Sequence, residues 1–159
     1  MKLGQILSTL NRKSKNAAYL WVVDRGKRLG SGSQRTAYRI GDYVVKANTC
    51  AWELNEWDED LKAKMMRVPR KALKDAGLVP VPTWYAGRKR QWVVQRYYGP
   101  ALAHVLHGDD QFRSALGLGW LDYPNVVWEV APGVTIGLDI APRNCSVRES
   151  DGALVAFDW

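Results

Sequence analysis

LGSGSQRTAYRIGDYVVKA, residues 29–47, decides how the chain is to be read. Two runs rich in β-branched and aromatic residues, 35–40 and 43–47, are parted by Gly41 and Asp42, the composition of a tight turn between antiparallel strands. The preceding run, YLWVV at 19–23, has the same β-like character, so Gly30 and Gly32 are expected at the tip between a first and a second strand. The three runs together predict an antiparallel meander.

Working outward, Leu3, Ile6, Leu7 and Leu10 recur at helical spacing and predict a short amphipathic helix at the N-terminus. After Thr49, a candidate N-cap, residues 50–66 place Leu54, Trp57, Leu61 and Met65 on one face of a longer helix. Strand-like segments follow at 78–87 and 91–98, with Arg88, Lys89 and Arg90 at the turn between them and Gly99-Pro100 as a hinge. Residues 101–121 read as one or two short helices, and the remainder as short strands with Ser150-Asp151-Gly152 as a hairpin turn. The fold class is therefore α+β: an antiparallel sheet with one major helix, then a smaller second lobe. Three regions result: 1–28, an N-terminal helix and first strand; 29–98, the sheet-bearing lobe; and 99–159, a reduced lobe.

Composition limits the partners. The chain has 159 residues and a net charge of +7, which favours anionic ligands: a nucleotide, a nucleic acid or an acidic protein surface. Eight Trp and seven Tyr against two Phe put polar tips on most of the aromatic surface. Cys50 and Cys145 are too few and too far apart for a disulfide framework, and no apolar stretch reads as a signal peptide or membrane span, so cytoplasm is expected. The basic runs at 62–77 and 88–90 lack the interleaved aromatics of a base-stacking platform, which leaves nucleic acid a weakly supported partner. His104 and His107 stand at i, i+3 with no third ligand at metal spacing.

Chemistry concentrates in two places. A glycine-rich tip lets backbone N–H groups approach phosphate, and Lys46, on the strand after it, can reach the same oxygens. Near the end of the sequence, Asp139 and Asn144 flank Pro142, and Asp158 follows fourteen residues after Asn144. An acid to orient a hydroxyl, with an amide and a carboxylate as hard oxygen ligands for Mg²⁺, suits phosphoryl transfer.

This ordered set resembles the protein-kinase-like superfamily, including the aminoglycoside phosphotransferase branch, from about Leu29 to Asp158. The resemblance implies ATP and Mg²⁺ as cofactors. It makes Gly30, Ser31, Gly32 and Ser33 the nucleotide-covering loop and Lys46 the phosphate-gripping lysine. The paired acid on the following helix is then Glu53, nearest the apolar face among the Glu residues there, with Asp58 as runner-up. LDIAPRN looks like a catalytic loop with Asp139 as base and Asn144 as metal ligand; FDW makes Asp158 the principal metal ligand; QRYYGPAL resembles the adenine hinge, with backbone groups from Arg96 to Tyr98 as contacts.

The departures are as informative. The third loop glycine is absent, Gly137 stands where kinases carry a His, and Arg143 takes the neighbourhood of a charge-neutralising Lys. Trp159, and not a glycine, follows Asp158, and on this reading neither an activation segment nor the helical substrate platform of kinases is expected. Two functions are consistent with this: a phosphotransferase of minimal size acting on a protein hydroxyl or a small molecule, or a kinase-fold binding protein, such as a regulator from a bacterial virus, that redirects a host protein. The reduced lobe further predicts a homodimer or an obligate partner burying the region of Trp120, Trp128 and Trp159.

Overall fold

The structure is a computed structural model that describes residues 1–31, 36–47, 73–74, 77–87, 91–116, 125–131 and 134–157, with the backbone alone at 115, 125–131 and 134–139. It is α+β and divides into two compact units, 1–57 with 82–97 and 58–81 with 98–159.

The first unit opens with α1 (Leu3–Arg12) and α2 (Lys15–Arg25), then carries β1 (Lys27–Ser31), β2 (Thr36–Ile40), β3 (Tyr43–Ala47), β5 (Thr83–Ala86) and β6 (Trp92–Arg96). These strands form one antiparallel sheet in the order β1-β2-β3-β6-β5. Side chains alternate across a strand, and directly paired residues share a face. One face collects Tyr38, Ile40, Val45, Ala86, Trp92 and Val94, and it packs on Ile6 and Leu10 of α1 and Ala18 and Val22 of α2 in a single core. Full burial contributes about 1.5–3 kcal/mol for each large side chain of such a cluster.

Two sequence expectations are corrected here. Residues 19–23 are helical, within α2, and the first strand begins at Lys27. The Ser14 hydroxyl accepts from the Ala17 N–H at 3.4 Å and starts the helix, while Ala18 and Val22, four residues apart, reach the core together. The β propensity of Trp21, Val22 and Val23 yields to that packing. Consequently Gly30 and Ser31 lie inside β1, paired with Ala37 and Thr36, and not at a tip.

In the second unit, β4 (Val79–Pro80) and β10 (Leu154–Ala156) pair in parallel and β10 pairs antiparallel with β9 (Cys145–Val147); β7 (Asn125–Ala131) and β8 (Val134–Asp139) make a separate antiparallel ribbon. A 3₁₀ turn at Leu102–His104 precedes α3 (Gly108–Leu116), and a second 3₁₀ turn at Pro142–Asn144 joins β8 to β9. Leu73, Leu78, Leu102, Phe112, Ile140, Cys145, Leu154 and Ala156 form its core. The expected helix at 50–66, the turn at 88–90, Trp120 and Trp159 lie outside the described residues, as does the side chain of Trp128. Among the described residues no helix is long and apolar enough to cross a membrane.

Candidate functional site

In the first unit the candidate chemistry lies on the sheet face opposite the helices. Lys46 pairs with Ala37 and Val93, and the neighbouring rung places Gln95 beside Val44 and Thr83 on the same face. Lys46 and Gln95 are each only 5% exposed, although one carries a charge and the other an amide. Desolvating such groups is costly, so their burial on two central strands separates them from the solvated basic residues of the chain.

The Gln95 amide nitrogen donates to the Thr83 hydroxyl at 3.2 Å, while its buried carbonyl oxygen accepts no hydrogen bond from the described residues. Sequence reasoning missed this residue. The available signal was a polar side chain interrupting the apolar run WVVQR, where β6 is buried from Trp92 to Gln95.

At the end of β6, Arg96 does not face this group. Its guanidinium donates to the Tyr43 hydroxyl at 3.2 Å, approaches the Asp42 carboxylate at 3.5 Å and lies 5.2 Å from the Tyr43 ring centroid. The Arg96 and Tyr97 N–H groups donate to the Pro82 and Asp42 carbonyls at 3.2 and 2.9 Å. A hydrogen bond to an adenine ring nitrogen therefore comes from neither of these donors.

The second unit holds the loop. The Asp139 backbone closes β8 against Asn125, after which Ile140 and Ala141 turn into the core. Pro142 begins the 3₁₀ turn, where a missing N–H is harmless, and the Asn144 N–H closes it on the Ala141 carbonyl at 2.8 Å. Asn144 is buried and Arg143 exposed. Next to Asn144, burial pushes the Cys145 thiol up to about 12, so at neutral pH it is a packed thiol and not a nucleophile.

From there the β9–β10 ladder brings distant sequence together. Cys145 faces Ala156 and Val147 faces Leu154, and the Phe157 N–H extends the pairing by donating to the Asn144 carbonyl at 2.9 Å. Asn144 is thus tied to the residue that precedes Asp158. The hairpin is pinned at its far end by Arg148, which grips the Asp151 carboxylate with two hydrogen bonds at 2.8 and 2.5 Å and lies 5.9 Å from the Tyr98 ring centroid.

Gly32, Ser33, Glu53, Asp58 and Asp158 lie outside the described residues, and Asp139 is described by its backbone. His104 and His107 are exposed, with His107 Nδ1 3.8 Å from the Asp110 carboxylate. Among the described residues, no three His, Cys, Asp or Glu side chains gather as a metal-ligating group. No protein-family model, curated protein or solved structure matches this chain.

Proposed function

We propose that the chain is an ATP- and Mg²⁺-dependent phosphotransferase of kinase-like type, acting in the cytoplasm on a protein hydroxyl or a small molecule. The observation that carries this reading is the hydrogen bond from Phe157 to Asn144. It joins Asn144, one residue assigned as a hard oxygen ligand, to the residue that precedes the other, Asp158, in sequence. The buried Lys46 supports it from the first unit, as a cation held on a sheet and not on a mobile surface.

In this reading the Lys46 ammonium holds phosphate oxygens of ATP. Asp139 accepts the proton of the acceptor hydroxyl as its oxygen bonds to the γ-phosphorus and the bond from that phosphorus to the β–γ bridging oxygen breaks, leaving ADP. Arg143, exposed beside Asn144, offsets charge on the transferring group. The Asn144 amide oxygen and the Asp158 carboxylate are donors of the kind Mg²⁺ accepts, and the ion supplies charge neutralisation at the phosphates. Glycines 30 and 32 allow close backbone approach to phosphate, with Gly30 contributing from β1.

A thermal-shift titration with ATP, with and without Mg²⁺, tests nucleotide binding. A genuine site stabilises by about 2.7 kcal/mol at a hundredfold excess over Kd, and a flat response in both titrations overturns the proposal. Transfer from γ-labelled ATP to hydroxyl acceptors then tests catalysis: Asp139→Asn is expected to lower it about 10²–10⁴-fold while the ATP-induced stabilisation persists. The second reading, a kinase-fold protein that binds a host protein without catalysis, is favoured by a basic, partly apolar surface on the N-terminal helices. It predicts stabilisation without transfer, or neither.

A further inference from the structure

Charge is distributed very unevenly along this chain. Residues 1–28 contain seven Lys or Arg and one Asp, a net charge of +6, whereas the other 131 residues contribute only +1 to the total of +7. All seven basic residues of this segment, Lys2, Arg12, Lys13, Lys15, Arg25, Lys27 and Arg28, are exposed. The segment forms α1, α2 and the start of β1, so its charge is displayed on folded elements and not on a tail.

The outward face of α2 is apolar between those charges. With Ala18 and Val22 buried, helical periodicity turns Leu20 and Val23 away from the core, and they are 68% and 42% exposed. Tyr19 is also 42% exposed, one turn from Val23. Arg12, Lys13 and Lys15 stand at one end of this ridge and Arg25, Lys27 and Arg28 at the other, separated by a helix of about 16 Å. Neither α1 nor α2 has an acid in its first turn, so Lys15 sits uncompensated at the positive end of the α2 dipole. A carboxylate supplied from outside would meet both the dipole and the cations there.

We infer that this face docks an acidic amphipathic helix of a partner protein, its apolar stripe on Tyr19, Leu20 and Val23 and its carboxylates on the two basic ends. Ridge contacts at i, i+3 and i, i+4 are what a helix presents to another helix. Other anionic partners fit less well. Duplex phosphates follow a continuous basic track, but here aliphatic side chains interrupt it, and one ring, Tyr19, packed perpendicular to Tyr38 at 6.5 Å, does not make a row of stacking platforms. A lipid surface would have to desolvate Asn16 and Asp24, exposed on the same outward side, to bury three side chains, whereas a helix can leave both at its rim. The inference does not depend on catalysis, because no residue of the proposed phosphotransfer machinery takes part.

The test uses the full chain and a capped synthetic helix with Leu along one stripe and Glu on both borders, followed by fluorescence anisotropy. Binding is expected to weaken at least about fivefold between about 0.02 and 0.2 M salt, as exposed charges become screened. Leu20→Glu combined with Val23→Glu is expected to cost about tenfold or more, and so is reversal of Lys13, Lys15, Lys27 and Arg28 to Glu. All six positions are exposed, and circular dichroism together with an unchanged midpoint of thermal unfolding confirms that each variant is folded. Equal affinity for a control peptide with Gln in place of Leu overturns the inference, as does no binding of the acidic helix. Binding only to duplex DNA or to phosphatidylserine vesicles reassigns the surface to those partners and likewise overturns it.

Discussion

The two units place their polar groups in opposite ways. In the first, Lys46 and Gln95 lie within two central five-residue strands, paired on both sides, and both are buried. In the second, Asn144 ends a 3₁₀ turn just before a three-residue strand, held by its own N–H on the Ala141 carbonyl and by its carbonyl accepting from the Phe157 N–H. The first arrangement gives rigidity to a group through packing on both neighbouring strands. The second gives precision through turns, so that its geometry depends on a few specific hydrogen bonds.

The largest expected effects test whether the units are independent. Trp92→Ala in the first core and Phe112→Ala in the second should each cost about 3–5 kcal/mol, the usual price of a large aromatic removed from a packed interior. Native-state hydrogen exchange distinguishes them. Trp92→Ala should lower protection in β2, β3 and β6, and Phe112→Ala in β9 and β10. Equal loss across the whole chain in both variants would show one cooperative unit and remove the contrast.

Next in size come the ligand responses that the proposed function assigns to each unit. Lys46→Met should diminish the stabilisation by ATP, about 2.7 kcal/mol at a hundredfold excess, whether or not Mg²⁺ is present. Asn144→Ala should abolish only the increment that Mg²⁺ adds. Comparing each variant with itself, with and without the ion, removes any effect on the fold. The same loss pattern in both variants would mean that the division of labour between sheet cation and loop ligand is wrong.

How much of this was legible in the sequence also differs between the units, and the reason is physical. The strands β2 and β3 were plain because turn chemistry and β-branched runs agreed locally, and the β9–β10 hairpin because Ser150-Asp151-Gly152 is turn chemistry of the same kind. The helix α2 was not, because its local preference and its tertiary role disagree. Its Val and Trp residues favour strands, and only the packing of Ala18 and Val22 on the sheet decides for helix. Gln95 was missed for a related reason: a polar residue interrupting the apolar run WVVQR is a local hint, but its burial on the second sheet face is a property of strand pairing. For the loop, the D-x4-N spacing was readable, but the tie between Asn144 and Phe157 depends on the register of β9 on β10.

Two glycines sharpen the contrast at about 1–3 kcal/mol. Gly26, which ends α2, has an ordinary φ of −102°, but a Cβ there would lie 2.6 Å from the Val22 carbonyl oxygen and 2.8 Å from Tyr38 Cβ. Gly152 has open space around it and a φ of +69°. The first is glycine for room, the second for dihedral angle. Gly26→Ala should therefore cost about 1–3 kcal/mol through overpacking, and Asn should be worse than Ala there. Gly152→Ala should cost about 1–2 kcal/mol, with Asn recovering part of the loss because it tolerates the left-handed region. Chemical denaturation of the four variants checks this, and the same order of Ala and Asn at both sites would refute it.

The smallest expected effects set the units apart at opposite ends of the pH scale. In the first unit, the hydrogen bond with Tyr19, aided by burial, raises the Tyr38 phenol above its ordinary value of 10.0. The neutral form is the one the fold favours, so this contribution is complete below that value and is lost as pH rises through the raised one. In the second, the hydrogen bonds from Arg148, followed by the one from the Ala153 N–H, hold the Asp151 carboxyl below its ordinary value of 3.8. Here the charged form is favoured, so the contribution is complete above 3.8 and fades as pH falls through the lowered value. Both groups are readable by carbon-13 chemical shifts, Tyr38 at Cζ and Asp151 at Cγ. Tyr19→Phe should bring the Tyr38 titration back toward 10.0 without moving Asp151, and Arg148→Gln should bring Asp151 back toward 3.8 without moving Tyr38. Since Arg148 and Asp151 are partly exposed, added salt should weaken the Asp151 effect more than the Tyr38 effect, which rests first on a hydrogen bond between neutral groups. An Asp151 that titrates at 3.8 in the wild type would mean that Arg148 does not hold the hairpin in solution, and the register that ties Asn144 to Phe157 would lose one of its supports.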